Sequence, residues 1–257
     1  MSTTATEALT RAAETARLAP SIHNTQPWRW VVRGDRLELF AVAARQLREQ
    51  DPDGRPMRLS CGAALHHARV ALDAAQRADG RLHLLGRDQV LQLAVMIEHA
   101  GRAEQHDERM RAETATWVGG DRPEGTGLPD AVIPAEPPLT TVAERDFGVH
   151  GTLRAGTGHD SSADYAVLYG DGDDPVDWLR AGEALNEVWL AATDHGATVL
   201  PLSSPVELEF TRQALRRMLA DVGYPYLVLR LGTSDPEHGG PSHTPRLPSD
   251  QIIEIAD

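Results

Sequence analysis

The sequence predicts an α+β layered fold. Hydrophobic spacing switches repeatedly between a helical period and a period of two. The helical and extended segments do not alternate as regular βαβ units, and no internal repeat is visible.

Taken in order, residues 4–19 read as a helix. Thr4 and Glu7 have capping-box spacing, and Leu9, Ala12, Ala13, Ala16 and Ala19 recur at helical intervals until Pro20 ends the run. From Trp28 the period becomes two, and Gly34-Asp35 separates two such runs, so 28–42 reads as a β-hairpin. "DPDGRPMR" is a turn-rich loop before a helix over 60–77 with an apolar stripe of Ala64, Leu65, Ala68 and Leu72. "GRLHLLG" is a short strand. Asp88 then caps a helical stretch that reaches Trp117, with a break expected around Gly101.

Residues 119–138 are rich in Gly and Pro, and 148–162 are irregular again. Together, 119–162 read as a lid or excursion loop within a single domain spanning 1–257. "ADYAVLYG" is a strand, and Asp174-Pro175 opens a helix to about Asp194. "GATVLPLS" is a further strand. Ser204 and Glu207 form a second capping box, opening a helix to about Ala220. "YPYLVLRLG" is the last strand, followed by a Pro/Gly/His tail.

Composition excludes several functions. The formal charge is −13, and all 25 Lys/Arg positions are arginine. A nucleic-acid partner is therefore not expected, nor any chemistry needing a Schiff-base or P-loop lysine. Anions must be held by arginine, histidine, main-chain amides or helix N-termini. No apolar run is long enough for a membrane span, and the N-terminal residues lack the pattern of a secretory signal, so a cytoplasmic location is expected. One cysteine, Cys61, rules out an internal disulfide and a cysteine-rich zinc site.

Most candidate motifs have ordinary explanations. His66 and His67 are adjacent and point to different helix faces, so they do not form a chelating pair. Cys61 next to Gly62 suits packing better than an activated thiolate. The acids of "YGDGDDPVDW" fit a turn and helix cap rather than a calcium loop. His238 and His243 sit in the tail, and none of the glycine-rich stretches fits a dinucleotide fingerprint.

"APSIHNTQPW" is different. Between Pro20 and Pro27 it sets Ser21, Ile22, His23, Asn24, Thr25 and Gln26, mostly hydrogen-bonding side chains in a loop whose ends proline stiffens. Trp28 and Trp30 follow as a strand face. Such a rim suits the polar edge of a flat heterocycle.

These residues resemble the A-P-S-x-x-N-x-Q-P-W signature of nitroreductase-like flavoproteins, and "SCGAALHHARVAL" makes the Acg-type actinobacterial subgroup the best match. "WLRAGEALNEVWLAATDHGATVLPLSSPVE" is similar to the family's central helix, strand and flavin-passing turn, which places Pro201, Leu202, Ser203 and Ser204 at that turn. "TPRLP" is similar to a tail motif whose arginine contacts FMN, here Arg246. The resemblance implies a nitroreductase-like fold, a mixed or antiparallel central sheet flanked by helices. It implies FMN as cofactor, lying against Pro20, Ser21, Ile22, His23, Asn24, Gln26, the 201–204 turn and Arg246. It also implies NAD(P)H as reductant, a small nitroaromatic or quinone-like acceptor, and a homodimer or intramolecular pseudo-dimer. Because the flavin carries the chemistry, no protein acid or base is assigned as catalytic. The family's arginine-rich phosphate arm has no counterpart in the sequence. Two alternatives therefore stand beside the enzyme: a protein that holds FMN without turnover, and a flavin-free interaction module.

Overall fold

The computed structural model describes residues 5–74, 76–148, 151–153, 162–233 and 244–256. The first helix, α1 (Ala5–Ala16), buries Ala12, Ala13 and Ala16. Side chains this small allow close packing on the next helix, α2. Thr4, half of the expected capping box, lies outside the described residues. The strands β1 (Trp28–Arg33) and β2 (Arg36–Ala41) form the expected antiparallel hairpin, with Trp28 opposite Ala41 and Arg33 opposite Arg36. Trp28 and Trp30 are almost completely buried.

The second helix, α2 (Arg55–Ala71), begins earlier than its apolar stripe suggested, because Gly54 adopts φ 75 and Pro56 sits in the first turn. After β3 (Arg81–Leu84) come α3 (Arg87–His106) and α4 (Glu108–Trp117). The break falls at Asp107, not at Gly101. Asp107 Oδ1 accepts from the amides of Arg109 and Met110 and so caps a new helix, while Gly101 continues the old one.

The remaining elements are β4 (Asp164–Gly170), α5 (Pro175–Asp194), β5 (Ala197–Leu202), α6 (Ser204–Glu207), α7 (Glu209–Met218), β6 (Tyr224–Thr233), α8 (Ser249–Ile252) and β7 (Ile253–Ala256). The long helix expected after Ser204 is in fact two. Leu208 is extended, and the Arg212 guanidinium takes the carbonyls of Val206 and Glu207 that end α6. Ser204 is not the cap residue either. Ser203 holds that position without a side-chain cap, and the Ser204 hydroxyl is engaged elsewhere.

The architecture is α+β, with its strands divided between two sheets. One has the order β2-β1-β7, in which β7 runs parallel to β1; the other is antiparallel, in the order β3-β4-β6-β5. The tail strand β7 was not foreseen, since its four residues are too short to stand out. One apolar core lies around the antiparallel sheet and includes Leu93, Val167, Leu185, Leu215 and Leu229. A second lies among α1, α2 and β1, built on Trp28, Trp30, Ala64 and Ile252.

The two cores meet where α2 crosses α5. A Cβ on Gly62 would lie 1.9 Å from Leu179 O, and one on Gly182 would lie 1.9 Å from Leu59 O. Only reciprocal glycines allow backbones this close.

Candidate functional site

The loop after α1 is short and held in an unusual conformation. His23, Asn24 and Gln26 have φ of 43, 52 and 47, a left-handed region that non-glycine residues enter at a cost of roughly 1–3 kcal/mol each. Such a shape persists only if its surroundings impose it. Ile22 N donates to Ser60 Oγ on α2 at 3.1 Å, and Gln26 N donates to Ser21 Oγ at 3.0 Å. Asn24 Nδ2 donates to Gly127 O and Pro245 O, and Gly127 N returns a bond to Asn24 O. Gln26 Nε2 donates to Gly125 O at 2.8 Å, while its Oε1 accepts from Leu247 N at 2.9 Å.

Both amides are buried and fully occupied by the protein. They pin the loop to α2, to residues 125–127 and to the tail. Part of the stretch expected to serve as a lid, 119–162, is thus an anchor for this loop; positions 149–150 and 154–161 within it lie outside the described residues.

Arg246 belongs to the same cluster. Its Nη1 donates to Asn24 Oδ1 at 3.1 Å and its Nη2 to Leu18 O at 3.1 Å. The tail motif and the loop are therefore in direct contact, 222 positions apart in sequence.

From the other side, β5 delivers Pro201 and Leu202 and leads into Ser203 and Ser204. This turn meets the loop through a residue that the sequence did not mark, Arg145. Its Nη1 donates to His23 Nε2 at 2.9 Å and to Gln50 Oε1 at 2.7 Å. Its Nη2 donates to Ser204 Oγ at 3.4 Å and to Glu207, and its Nε lies 3.5 Å from Glu104 Oε2. Phe147 sets its edge against the His23 ring at 5.5 Å. Nothing local in "TVAERDF" announces this role, since its partners are 41 to 122 residues distant.

The electrostatics follow from burial. An arginine only donates, so His23 Nε2 must accept, and the ring proton sits on Nδ1, which is buried with no partner among the described residues. Burial, then the Arg145 charge, pushes the His23 pKa well below its ordinary 6.5, so the ring is neutral. Burial opposes the charge on Arg145 too, but the Glu207 and Glu104 carboxylates outweigh it and hold the guanidinium protonated. Burial raises the Glu104 carboxyl against the pull of Arg145. It also pushes Asp51 up to about 7, despite hydrogen bonds from the amides of Met57, Arg55 and Gly54.

The other candidates resolve into structure. Cys61 lies inside α2, not at its start; burial pushes its thiol up to about 12, and Sγ contacts Pro27 O at 3.4 Å. His66 is buried with Nδ1 2.9 Å from Asn186 Nδ2. Asp173 pairs with Arg55 and accepts from Trp178 Nε1, which accounts for an acid of the "YGDGDDPVDW" stretch. His238 and His243 lie outside the described residues. A shallow depression between Arg55, Trp178, Arg212 and Tyr226 is lined by none of the loop residues.

Comparisons with known proteins place the chain in a family. The model of the family described as "Nitroreductase family" matches residues 2–222. A Mycobacterium tuberculosis (strain ATCC 25618 / H37Rv) protein named "Putative NAD(P)H nitroreductase Rv3131" is 31% identical, over 92% of this chain and 88% of its own. That alignment runs over 303 residues, more than this chain possesses, so the relative carries segments absent here. The protein named "Putative NAD(P)H nitroreductase acg" from the same organism is 26% identical, over 97% of this chain and 96% of its own. A solved structure of a mutant of the FMN and NADPH-dependent nitroreductase NfnB, derived from sphigopyxis sp. strain HMH, is 18% identical with a TM-score of 0.31, covering 96% of this chain and 87% of that one. With a family model spanning most of its length and a relative above 30% identity aligned almost throughout, the chain belongs to the nitroreductase family of oxidoreductases.

Proposed function

We propose that the protein is an FMN-dependent NAD(P)H oxidoreductase that delivers electrons to a small acceptor such as a nitroaromatic or a quinone, and that it works as a homodimer. The observation that carries this reading is the strained, over-anchored loop 20–26, in contact with Arg246 and facing the 201–204 turn across Arg145. Strain of this kind, imposed from several directions, is characteristic of a ligand platform.

The donor set fits the group. His23 Nδ1 and Arg246 Nε are buried polar atoms without partners among the described residues, and Arg246 is matched there to no carboxylate. When bound, FMN would supply two-electron redox chemistry between NAD(P)H and the acceptor. The chain's part is positional. Pro20, Ser21, Ile22 and His23 form the rim against the ring, while Asn24 and Gln26 hold that rim in shape. Main-chain groups of Pro201, Leu202, Ser203 and Ser204 face it from the opposite side. A neutral His23 offers its Nδ1–H as a donor without adding a second cation beside Arg145. Packing of Trp28 and Trp30 beneath the rim keeps water from its underside.

One observation favours a flavin-free reading. Arg145 already links the two segments, and its guanidinium nitrogens have partners in His23, Gln50, Ser204, Glu207 and Glu104. The absorption spectrum of the purified protein separates the readings. A flavin band that bleaches anaerobically with NADH or NADPH supports the enzyme. A band that does not bleach supports a holding role. A colourless protein that takes up no added FMN overturns the flavin reading.

A further inference from the structure

The segment after β2 carries two arginines in quick succession, Arg45 at the end of a short helical turn (Ala43–Arg45) and Arg48 beyond it. This segment runs along the rim of the candidate site. Arg45 Nη1 donates to the carbonyl of Gln26 at 2.8 Å and to that of Trp28 at 3.4 Å. Leu47 is buried and fixes the segment in place. Further on, Gln50 Oε1 accepts from Arg145 Nη1, which also donates to His23 Nε2. The segment therefore touches the loop directly at Gln26 and, through Arg145, at His23.

Arg45 is half-buried, and burial alone lowers its pKa. Its Nε and Nη2 have no partner among the described residues and stay open to solvent. Arg48 is exposed, and its Nη2 donates to Ala43 O at 3.4 Å. Among the described residues neither arginine pairs with a carboxylate. Glu113 of α4 reaches the same segment, but its oxygens accept from the main-chain amides of Glu49 and Gln50. Elsewhere, partly buried arginines are matched to acids, Arg55 to Asp173 and Arg69 to Glu183. A chain with 38 acidic and 25 basic residues has acids to spare, yet none is set here. A partly desolvated cation of this kind is stabilised by an anion that arrives with a ligand.

We propose that Arg45, assisted by Arg48, is a specificity-determining residue that receives a phosphate group of the nicotinamide nucleotide at the edge of the rim. The proposal rests on the oxidoreductase reading above and names the feature of the reductant that this chain recognises. A guanidinium with free N–H groups along one edge suits the paired oxygens of a phosphate. The carbonyls of Gln26 and Trp28 hold the Nη1 side, so the free edge is oriented before the ligand arrives. Arg48 adds a second positive charge nearby. In a protein of formal charge −13, such a local positive edge offsets the general repulsion of an anionic nucleotide. Two phosphates have this chemistry: the pyrophosphate, common to NADH and NADPH, and the ribose phosphate that only NADPH carries.

The test compares reductants that differ in their phosphates. NADPH, NADH and a phosphate-free N-benzyl dihydronicotinamide are oxidised by FMN-loaded wild type, Arg45→Gln, Arg45→Lys and Arg48→Gln. Calorimetric titration with NADP+ and NAD+ supplies a readout apart from turnover. Arg45→Gln should lower kcat/KM for the phosphate-bearing reductant about 10- to 100-fold further than for the phosphate-free one, mainly through KM. Arg45→Lys, which keeps the charge but not the fork, should fall between wild type and Arg45→Gln. Arg48→Gln, at an exposed position, should cost about two- to fivefold. A loss confined to NADPH and NADP+ assigns the ribose phosphate, and a loss shared by both nucleotides assigns the pyrophosphate. If the phosphate-free reductant suffers as much as the nucleotides, or no variant weakens either nucleotide, the proposal is wrong and the flavin reading survives. If the wild type takes up no FMN, the flavin reading itself fails and takes this site with it. Should Arg45→Gln not fold, Arg45→Lys and Arg48→Gln still decide.

Discussion

Arg145 illustrates how one side chain can join parts that the sequence keeps far apart. Its side chain is 8% exposed and lies between Glu207 and Glu104, themselves 2% and 11% exposed. Removing the cation leaves two buried carboxylates without a counter-charge, which typically costs ~3–5 kcal/mol. Arg145→Met should therefore lower the denaturant midpoint sharply. Part of that loss should return at acid pH, since burial favours the protonated form of the Glu104 carboxyl.

Asp51 makes a second residue-level prediction. Its folded pKa of about 7 exceeds its ordinary 3.8, so the folded state holds a proton that the unfolded chain releases first. The stability this confers is complete below pH 3.8 and is lost as pH rises through 7. At roughly 1.4 kcal/mol per pH unit, the whole gap is worth ~4 kcal/mol. Unfolding free energy should decline across this window in the wild type, and Asp51→Asn should flatten the decline.

Among the elements, the crossing of α2 and α5 decides how the two cores meet. Gly62 and Gly182 each approach the opposite helix's backbone so closely that a methyl group would overlap a carbonyl oxygen at 1.9 Å. Overpacking of this kind costs typically ~1–3 kcal/mol, and more where backbone must move. Gly182→Ala should lower the thermal midpoint by several degrees, whereas Gly101→Ala, which meets nothing within 4 Å, should be neutral or mildly stabilising. The hairpin, α1 and α5 were legible in the sequence because spacing, turn residues and proline are local signals. The break at Asp107 and the division of α6 from α7 were missed although their hydrogen bonds are local, two to six residues away, whereas β7 exists only through its pairing with distant β1.

For the molecule as a whole, charge sets what it can meet. A formal charge of −13 argues against a polyanion as a general partner. The protein should not retard duplex DNA in a gel at 50 mM salt, where sequence-independent phosphate contacts are strong; a retarded band would contradict the small-molecule reading. Among the described residues no helix is long and apolar enough to cross a membrane. The 31% identical mycobacterial relative carries segments this chain lacks.

By itself the sequence determined the α+β class, the family and the loop from Pro20 to Gln26, because these are written in spacing, composition and a contiguous motif. Tertiary structure alone decided what that loop is attached to. It brought His23 and Ser204 onto Arg145, Asn24 onto Arg246, and Arg17 beside Arg246, at separations of 59 to 229 positions. It also showed the Asn24 and Gln26 amides bonded within the protein, although their pattern suggested groups free to read a ligand. The physical reason is common to all of these. Hydrogen bonds and ion pairs form between atoms a few ångströms apart, and only the folded chain decides which distant residues come that close.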